Sequence, residues 1–370
     1  MNLTRAWLGL VLLTSLVSSL RHFVSVPLTF AGWVIPLVGA MLLIQTRFRI
    51  GVAVVQWLPW VVYCALSFFL SLNENAFQRY LIMITPIVCL AMASTLRFTA
   101  ADYEWMLKAV RVTALILVSI ALAVSVMEGT DDVLLLAPES ILAVVLGVLL
   151  LFDYVNHGQK ISLLCFLLVA LVPVLTTARM ASLVLFLAAG VIVFMRSRRL
   201  GMLASVVVLA AAVMIFSSQA FMEKMLLDPD GPFSFDNIRT SGRSVAWGLL
   251  VSAIPEQPIF GYGSNASESY LLGYSKHFSH PHNDWLRIVF DYGFLGLVLF
   301  VWAIYATLKK LKKARLVGLP AASLGVNNVA SILFGAFMLL MLTDNVILYA
   351  AFFGNLHFTL IGLALSRRVS

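Results

Sequence analysis

The sequence predicts an all-α polytopic membrane protein with about 12 transmembrane helices and one large outer loop that carries short helices. Two observations predict it. Hydrophobic residues make up 61% of the 370 and charged residues 11%, with a mean hydropathy of +0.98, far from the balance of a water-soluble domain. Apolar runs long enough to cross a hydrocarbon core of about 30 Å also recur along the whole chain, and helices are what such runs become where lipid offers the backbone no partners.

In chain order, nine runs fall within residues 1–218, centred near Val11, Gly32, Val61, Ile87, Leu115, Val145, Leu168, Ala188 and Val208. Residues 219–284 form a long loop, and residues 285–370 hold three more runs centred near Gly296, Phe334 and Phe353. The first run follows Arg5, lacks a small-residue cleavage pattern and is followed almost at once by a second, so it reads as a membrane helix rather than a removable signal. Cys64, Cys89 and Cys165 lie inside apolar runs with no CxxC spacing, which suggests packing rather than a disulfide framework or a zinc site.

Lys and Arg collect in short cytoplasmic loops. With both termini inside and an even number of crossings, the inner connections hold 16 of the 25 basic residues, among them Arg196, Arg198, Arg199 and the run from Lys309 to Arg315. Outer connections hold Glu74, Glu128, Asp131, Asp132, Glu139 and Asp344. The net charge of +8 then follows from topology and from contact with anionic membrane lipids, and nothing supports nucleic-acid binding.

The long loop contains turn signals such as Asp228-Pro229-Asp230-Gly231, yet also Trp247, Leu250, Ile254, Phe260 and Tyr270. It is too apolar for a disordered tail and is expected to fold against the outer face, with a short amphipathic helix over Val245–Ile254 capped by Thr240 or Ser241 and ended by Pro255. Arg179, in a tight outer turn between the seventh and eighth runs, is costly near hydrocarbon unless it faces a protein interior, water or an anion; a snorkelling interfacial side chain is the alternative.

On the same side stands His280-Pro281-His282-Asn283-Asp284 at the mouth of the tenth run. The alternating histidines resemble a metal pair, but no further ligand set completes a shell. Asn283 or Asp284 suits a helix cap, Arg287 and Asp291 are spaced to pair with each other, and Gly293 and Gly296 suit close helix contact.

His282-Asn283, nine residues, then Gly293 resembles the signature of the O-antigen ligase and O-antigen polymerase superfamily of bacterial inner-membrane glycosyltransferases. Upstream, Ser241-Gly242-Arg243 through Trp247 and Pro258-Ile259-Phe260-Gly261-Tyr262-Gly263 resemble the start of that family's periplasmic loop, and Thr177-Ala178-Arg179 resembles its basic outer turn. The ligases often follow the glycine with two threonines, where this chain has Phe294-Leu295. The resemblance implies a glycan donor linked to undecaprenyl diphosphate, with lipid A-core or a carrier-linked glycan as acceptor, no cofactor, and inverting, metal-independent transfer at the periplasmic face.

In such a site Arg243 and Arg179, with Arg239 as a third ligand, would hold the diphosphate through charge-assisted forks. His282 would take the proton of the incoming hydroxyl at a pKa near 6.5, oriented by Asn283 or His280. A ligase, a polymerase and a non-enzymatic transporter are the functions in view. A transporter would carry ionisable groups at helix centres, whereas here the polar residues gather in one outer loop.

Overall fold

The computed structural model describes residues 2–24, 28–47, 53–71, 73–128, 136–199, 202, 206, 217, 242–275 and 280–366. Among them the regular structure is entirely helical. The α-helices are α1 (Leu3–Ser19), α2 (Ala31–Arg47), α3 (Leu58–Ser71), α4 (Ala76–Thr95), α5 (Ala100–Glu128), α6 (Ala137–His157), α7 (Lys160–Leu175) and α8 (Arg179–Arg196), followed by α9 (Arg243–Ala253), α10 (Ala266–Tyr274), α11 (Asp284–Leu316), α12 (Ala321–Leu340) and α13 (Gly354–Ala364).

Seven of them, α1, α4, α5, α6, α8, α11 and α12, are long and apolar enough to cross a membrane, and shorter apolar stretches run over Leu28–Leu42, Val55–Phe69 and Lys160–Leu175. The chain is an all-α polytopic membrane protein. The expected ninth run, around Val208, lies outside the described residues apart from isolated positions, as does the expected boundary at residues 218–219. The twelfth run differs from expectation: residues 341–353 are turns, and the helix begins only at Gly354. Thr343, Asp344 and Asn345 break its apolar pattern, and the Thr343 carbonyl and the Asn345 side chain serve the site described below.

The bundle centres on α6, which is buried continuously from Pro138 to Asp153 and packs against α7 and α8. Polar contacts sort to two ends. At one, Arg5 pairs with Asp102 at 2.9 Å and Arg111 with Asp153 at 2.8 Å. At the other, Arg21 pairs with Glu139 at 2.8 Å, Arg79 with Glu268 at 2.9 Å, and the Asn73 amide donates to the Ser264 carbonyl at 3.1 Å. Every one of these pairs joins residues that the charge pattern assigns to the same side.

The loop helices fold onto the second end, as their apolar content suggests. Ala246, Leu250 and Ala253 of α9 pack with Ala266, Leu271 and Phe290 in a small core of their own. The α9 helix starts at Arg243 behind Gly242, whose φ of 78° is a left-handed conformation open to glycine; Thr240 and Ser241, the expected caps, lie outside the described residues.

Gly293 has a different task from close helix contact. Its φ of 65° and ψ of −174° break α11, freeing the Phe290 and Asp291 carbonyls and the Phe294 and Leu295 amides. The turn segment Pro258–Gly263 satisfies all four: the amides of Tyr262 and Gly263 donate to Phe290 and Asp291 at 3.0 and 2.8 Å, while Phe294 and Leu295 donate to Pro258 and Ile259 at 2.8 and 3.1 Å. The loop is thereby latched into the helix. Gly296 does serve close packing, with the Tyr63 ring 3.2 Å from where a Cβ would stand.

Candidate active site

The site lies at the loop-bearing end, where three stretches of chain meet. The α7–α8 turn brings Arg179 as the first residue of α8, after Thr177 in the left-handed region at φ 48°. A β-branched residue there is an outlier, held by its surroundings. The α9 helix brings Arg243, whose guanidinium donates to the Thr343 carbonyl at 2.8 Å. His282 precedes α11, itself at φ 48°, and its loop is held by the Trp247 indole, which donates to the Pro281 carbonyl at 2.6 Å.

The charges of Arg179 and Arg243 act on each other, and those of Arg243 and Arg287 act on His282, so the four share one region. Neither Arg179 nor Arg243 has a carboxylate ion-pair partner among the described residues. Two guanidiniums that act on each other, with Asp344 near Arg243 but no carboxylate in ion-pair contact with either among the described residues, make a place for an anion. Arg239, the third expected ligand, lies outside the described residues.

Around His282 the structure departs from expectation in four ways. Asn283 does not orient it, because the Asn283 side chain is spent on the N-cap of α11, accepting from the Leu286 amide at 2.9 Å. His280 does not either: the rings stand 6.5 Å apart edge to face, and His280 Nδ1 looks toward Glu268 at 3.7 Å. The partner of His282 is Asn345, whose Nδ2 lies 3.1 Å from His282 Nδ1. Third, Arg287 turns from Asp291 to Asp284 at 3.8 Å and to Asn345 Oδ1 at 3.3 Å, while Asp291 accepts from the Ser267 amide at 2.7 Å. Fourth, His282 is far from an ordinary imidazole. Burial, then Arg243 and Arg287, push its pKa down to about 4, and burial with Arg287, Arg79 and His282 takes His280 to about 3.

The element that sequence reasoning missed is the turn Thr343-Asp344-Asn345 after α12. Its Thr343 carbonyl holds Arg243, its Asn345 holds His282 and Arg287, and the amide of Ile347 beyond it donates to the buried Asp284 carboxylate at 2.8 Å. Three polar residues interrupting a long apolar stretch were the available signal. Arg79 and Glu268 were missed as well; their bidentate contact at 3.0 Å on both oxygens ties α10 to α4.

These contacts join the same stretches that carry the signature-like motifs: Pro258–Gly263 lies in the break at Gly293, and His282 stands before the start of the same helix, within reach of the Arg243 charge. The O-antigen ligase family model matches residues 164–301, from within α7 to the middle of α11. Over these residues the chain is similar to the O-antigen ligase superfamily. The matched segment contains Arg179, Arg243 and His282 but stops short of Asn345, so that segment is completed by a turn outside it.

Curated relatives point the same way over shorter stretches. A Rickettsia conorii protein provisionally named a polysaccharide ligase is 32% identical over 80 residues, 19% of this chain and 20% of that protein. Similarly named proteins of Rickettsia felis and Rickettsia prowazekii are 29% and 30% identical over 92 residues, each covering 22% of this chain and 23% of the relative. The alignments thus span about a fifth of the length of these relatives.

Proposed function

We propose that the protein is an O-antigen ligase-type glycosyltransferase, moving a polysaccharide from undecaprenyl diphosphate to lipid A-core at the periplasmic face of the bacterial inner membrane. What supports the reading is the pair Arg179 and Arg243, two cations that act on each other with no carboxylate in ion-pair contact with either among the described residues. A diphosphate leaving group is the anion that such a pair fits, and the charge it develops as the glycosidic bond breaks is what preorganised donors stabilise best.

The reaction in this reading is inverting and metal-independent. The acceptor hydroxyl attacks the anomeric carbon from the face opposite the diphosphate, and the two arginines, with Arg239 as a third ligand, take up the leaving charge. The basic inner connections put the termini in the cytoplasm and the arginine pair outside, where carrier-linked glycans and lipid A-core meet.

A polymerase that uses the same donor and a carrier-linked acceptor is the second reading, favoured by Phe294-Leu295 where ligases often place two threonines. The experiment is reconstituted transfer: purified protein in liposomes with a carrier-diphosphate glycan and lipid A-core. Product on lipid A-core that vanishes with Arg243→Ala supports the ligase. Longer carrier-linked chains alone indicate the polymerase, and no transfer to either acceptor rejects both.

A further inference from the structure

The expectation that His282 removes the acceptor proton requires a bare Nε2 lone pair. In a neutral imidazole that needs the hydrogen on Nδ1, given to an acceptor. The structure holds the opposite arrangement.

Asn345 is fully buried among three side-chain partners, Arg287, His282 and Tyr349. Arg287, itself buried, donates through Nη2 to Asn345 Oδ1 at 3.3 Å. A guanidinium has donors only, so it admits the oxygen end of an amide and rejects the NH2 end. Arg287 cannot turn aside easily, since Asp284 lies 3.8 Å from its Nε and is pinned by the Ile347 amide at 2.8 Å. The amide of Asn345 is thus locked with Nδ2 toward His282 Nδ1, 3.1 Å away. An amide nitrogen donates and never accepts, so Nδ1 is the acceptor and the ring hydrogen sits on Nε2. That Nε2 has no hydrogen-bond partner among the described residues and is not sealed from solvent.

We propose that Asn345 is a positioning residue that fixes this tautomer, and that His282 serves the transfer as an Nε2–H donor to an oxygen of the leaving diphosphate rather than as the base. The inference rests on the glycosyltransferase reading above. In the step, the acceptor oxygen forms its bond to the anomeric carbon and the bond from that carbon to the diphosphate oxygen breaks. The electron pair leaves with the diphosphate, which Arg179, Arg243 and the His282 N–H receive. The hydroxyl proton goes to Asp344, next in the chain to Asn345. Its Oδ1 accepts from the Asn345 amide at 2.9 Å, Oδ2 has no hydrogen-bond partner among the described residues, and the Arg243 charge acts on this carboxylate.

The test pairs transfer kinetics with the ¹⁵N NMR spectrum of selectively histidine-labelled protein. His282→Gln keeps an N–H donor but cannot act as a base, so it should retain about a tenth or more of kcat, whereas His282→Ala should lose about 100-fold. Asn345→Asp offers Nδ1 an acceptor, moves the ring hydrogen to Nδ1 and should cut kcat at least about tenfold with the donor KM little changed. Asp344→Asn should abolish turnover. The wild-type spectrum should show the Nε2–H tautomer, assigned by its loss in His282→Gln. His282→Gln as inactive as His282→Ala, together with Asn345→Asp as fast as wild type, overturns the proposal, and so does an Nδ1–H tautomer. Failure of the wild-type protein to transfer any glycan instead rejects the glycosyltransferase reading, and the spectrum still decides the tautomer.

Discussion

Replacing Gly293 by alanine puts a methyl group 2.2 Å from the Ile259 carbonyl oxygen, 2.4 Å from its carbon and 2.7 Å from the Gly261 nitrogen. All three are backbone atoms, so no rotamer change relieves the overlap. Restoring ordinary contact at about 3.4 Å means pulling the Pro258–Gly263 segment back by about 1.2 Å, enough to break the 2.8 and 3.1 Å bonds from Phe294 and Leu295. Two backbone hydrogen bonds contribute about 0.5–1.5 kcal/mol each. Holding a residue other than glycine at φ 65°, ψ −174° adds about 1–3 kcal/mol. The latch should therefore weaken by about 2–6 kcal/mol, the sum of those two contributions.

Limited proteolysis of the loop region around residues 242–275 reads this directly. Cleavage through local opening tracks the opening equilibrium, and each 1.4 kcal/mol is tenfold, so Gly293→Ala should be cut at least about 30 times faster than wild type. Glycan transfer should fall with it, because the same segment carries Arg243 toward His282. Gly335→Ala is the control: nothing lies within 4 Å of its would-be Cβ, and in mid-helix the change should be neutral or stabilising by up to about 1 kcal/mol. A Gly293→Ala protein with a loop cleavage rate within twofold of wild type would refute the latch.

Further outcomes follow from the site. Arg243→Lys keeps the charge but loses the two-pronged fork, and kcat for transfer should drop by about 10²-fold with the fold intact by circular dichroism. Because burial and two guanidiniums hold His282 near a pKa of about 4, it is neutral throughout pH 6–8, and kcat/KM should show no His282 inflection near 6.5. The depressed values for His282 and His280 also set a sign for stability. The unfolded chain takes up protons near pH 6.5 while the folded one does not until about 4 and 3, so the unfolding midpoint should fall as pH drops below 6.5. Glu268→Ala strands the half-buried Arg79 and frees α10 from α4, and should cost about 1–3 kcal/mol in denaturant unfolding.

How much of this was open to a reader of the sequence depends on the distance over which each effect acts. Apolar run length is local, and it yields the helical membrane class. The motifs around Arg179, Arg243 and His282 are short strings, and each lies where its string places it. What failed were inferences about partners. The i, i+4 spacing of Arg287 and Asp291 is a real helical neighbourhood, but it is worth only a few tenths of a kcal/mol. That is too little to hold Arg287 against Asp284 and Asn345 in a buried pocket, or Asp291 against a charge-assisted bond from the Ser267 amide.

Asn283 failed for a related reason. One amide side chain cannot both cap α11 and steer a neighbouring imidazole, and the cap is the nearer demand. The true partner, Asn345, is 63 residues away in sequence, and nothing in a one-dimensional pattern sets that register. A trace of it was still present. Thr343-Asp344-Asn345 stands in a stretch that is otherwise apolar, and polar groups at membrane depth persist only where something satisfies them. The Thr343 carbonyl engages Arg243, Asp344 the Asn345 amide, and Asn345 both His282 and Arg287, while the Thr343 hydroxyl is buried with no hydrogen-bond partner among the described residues. In a chain this apolar, three consecutive polar residues inside an apolar stretch point to buried partners that a single charged residue matched to a motif does not reveal.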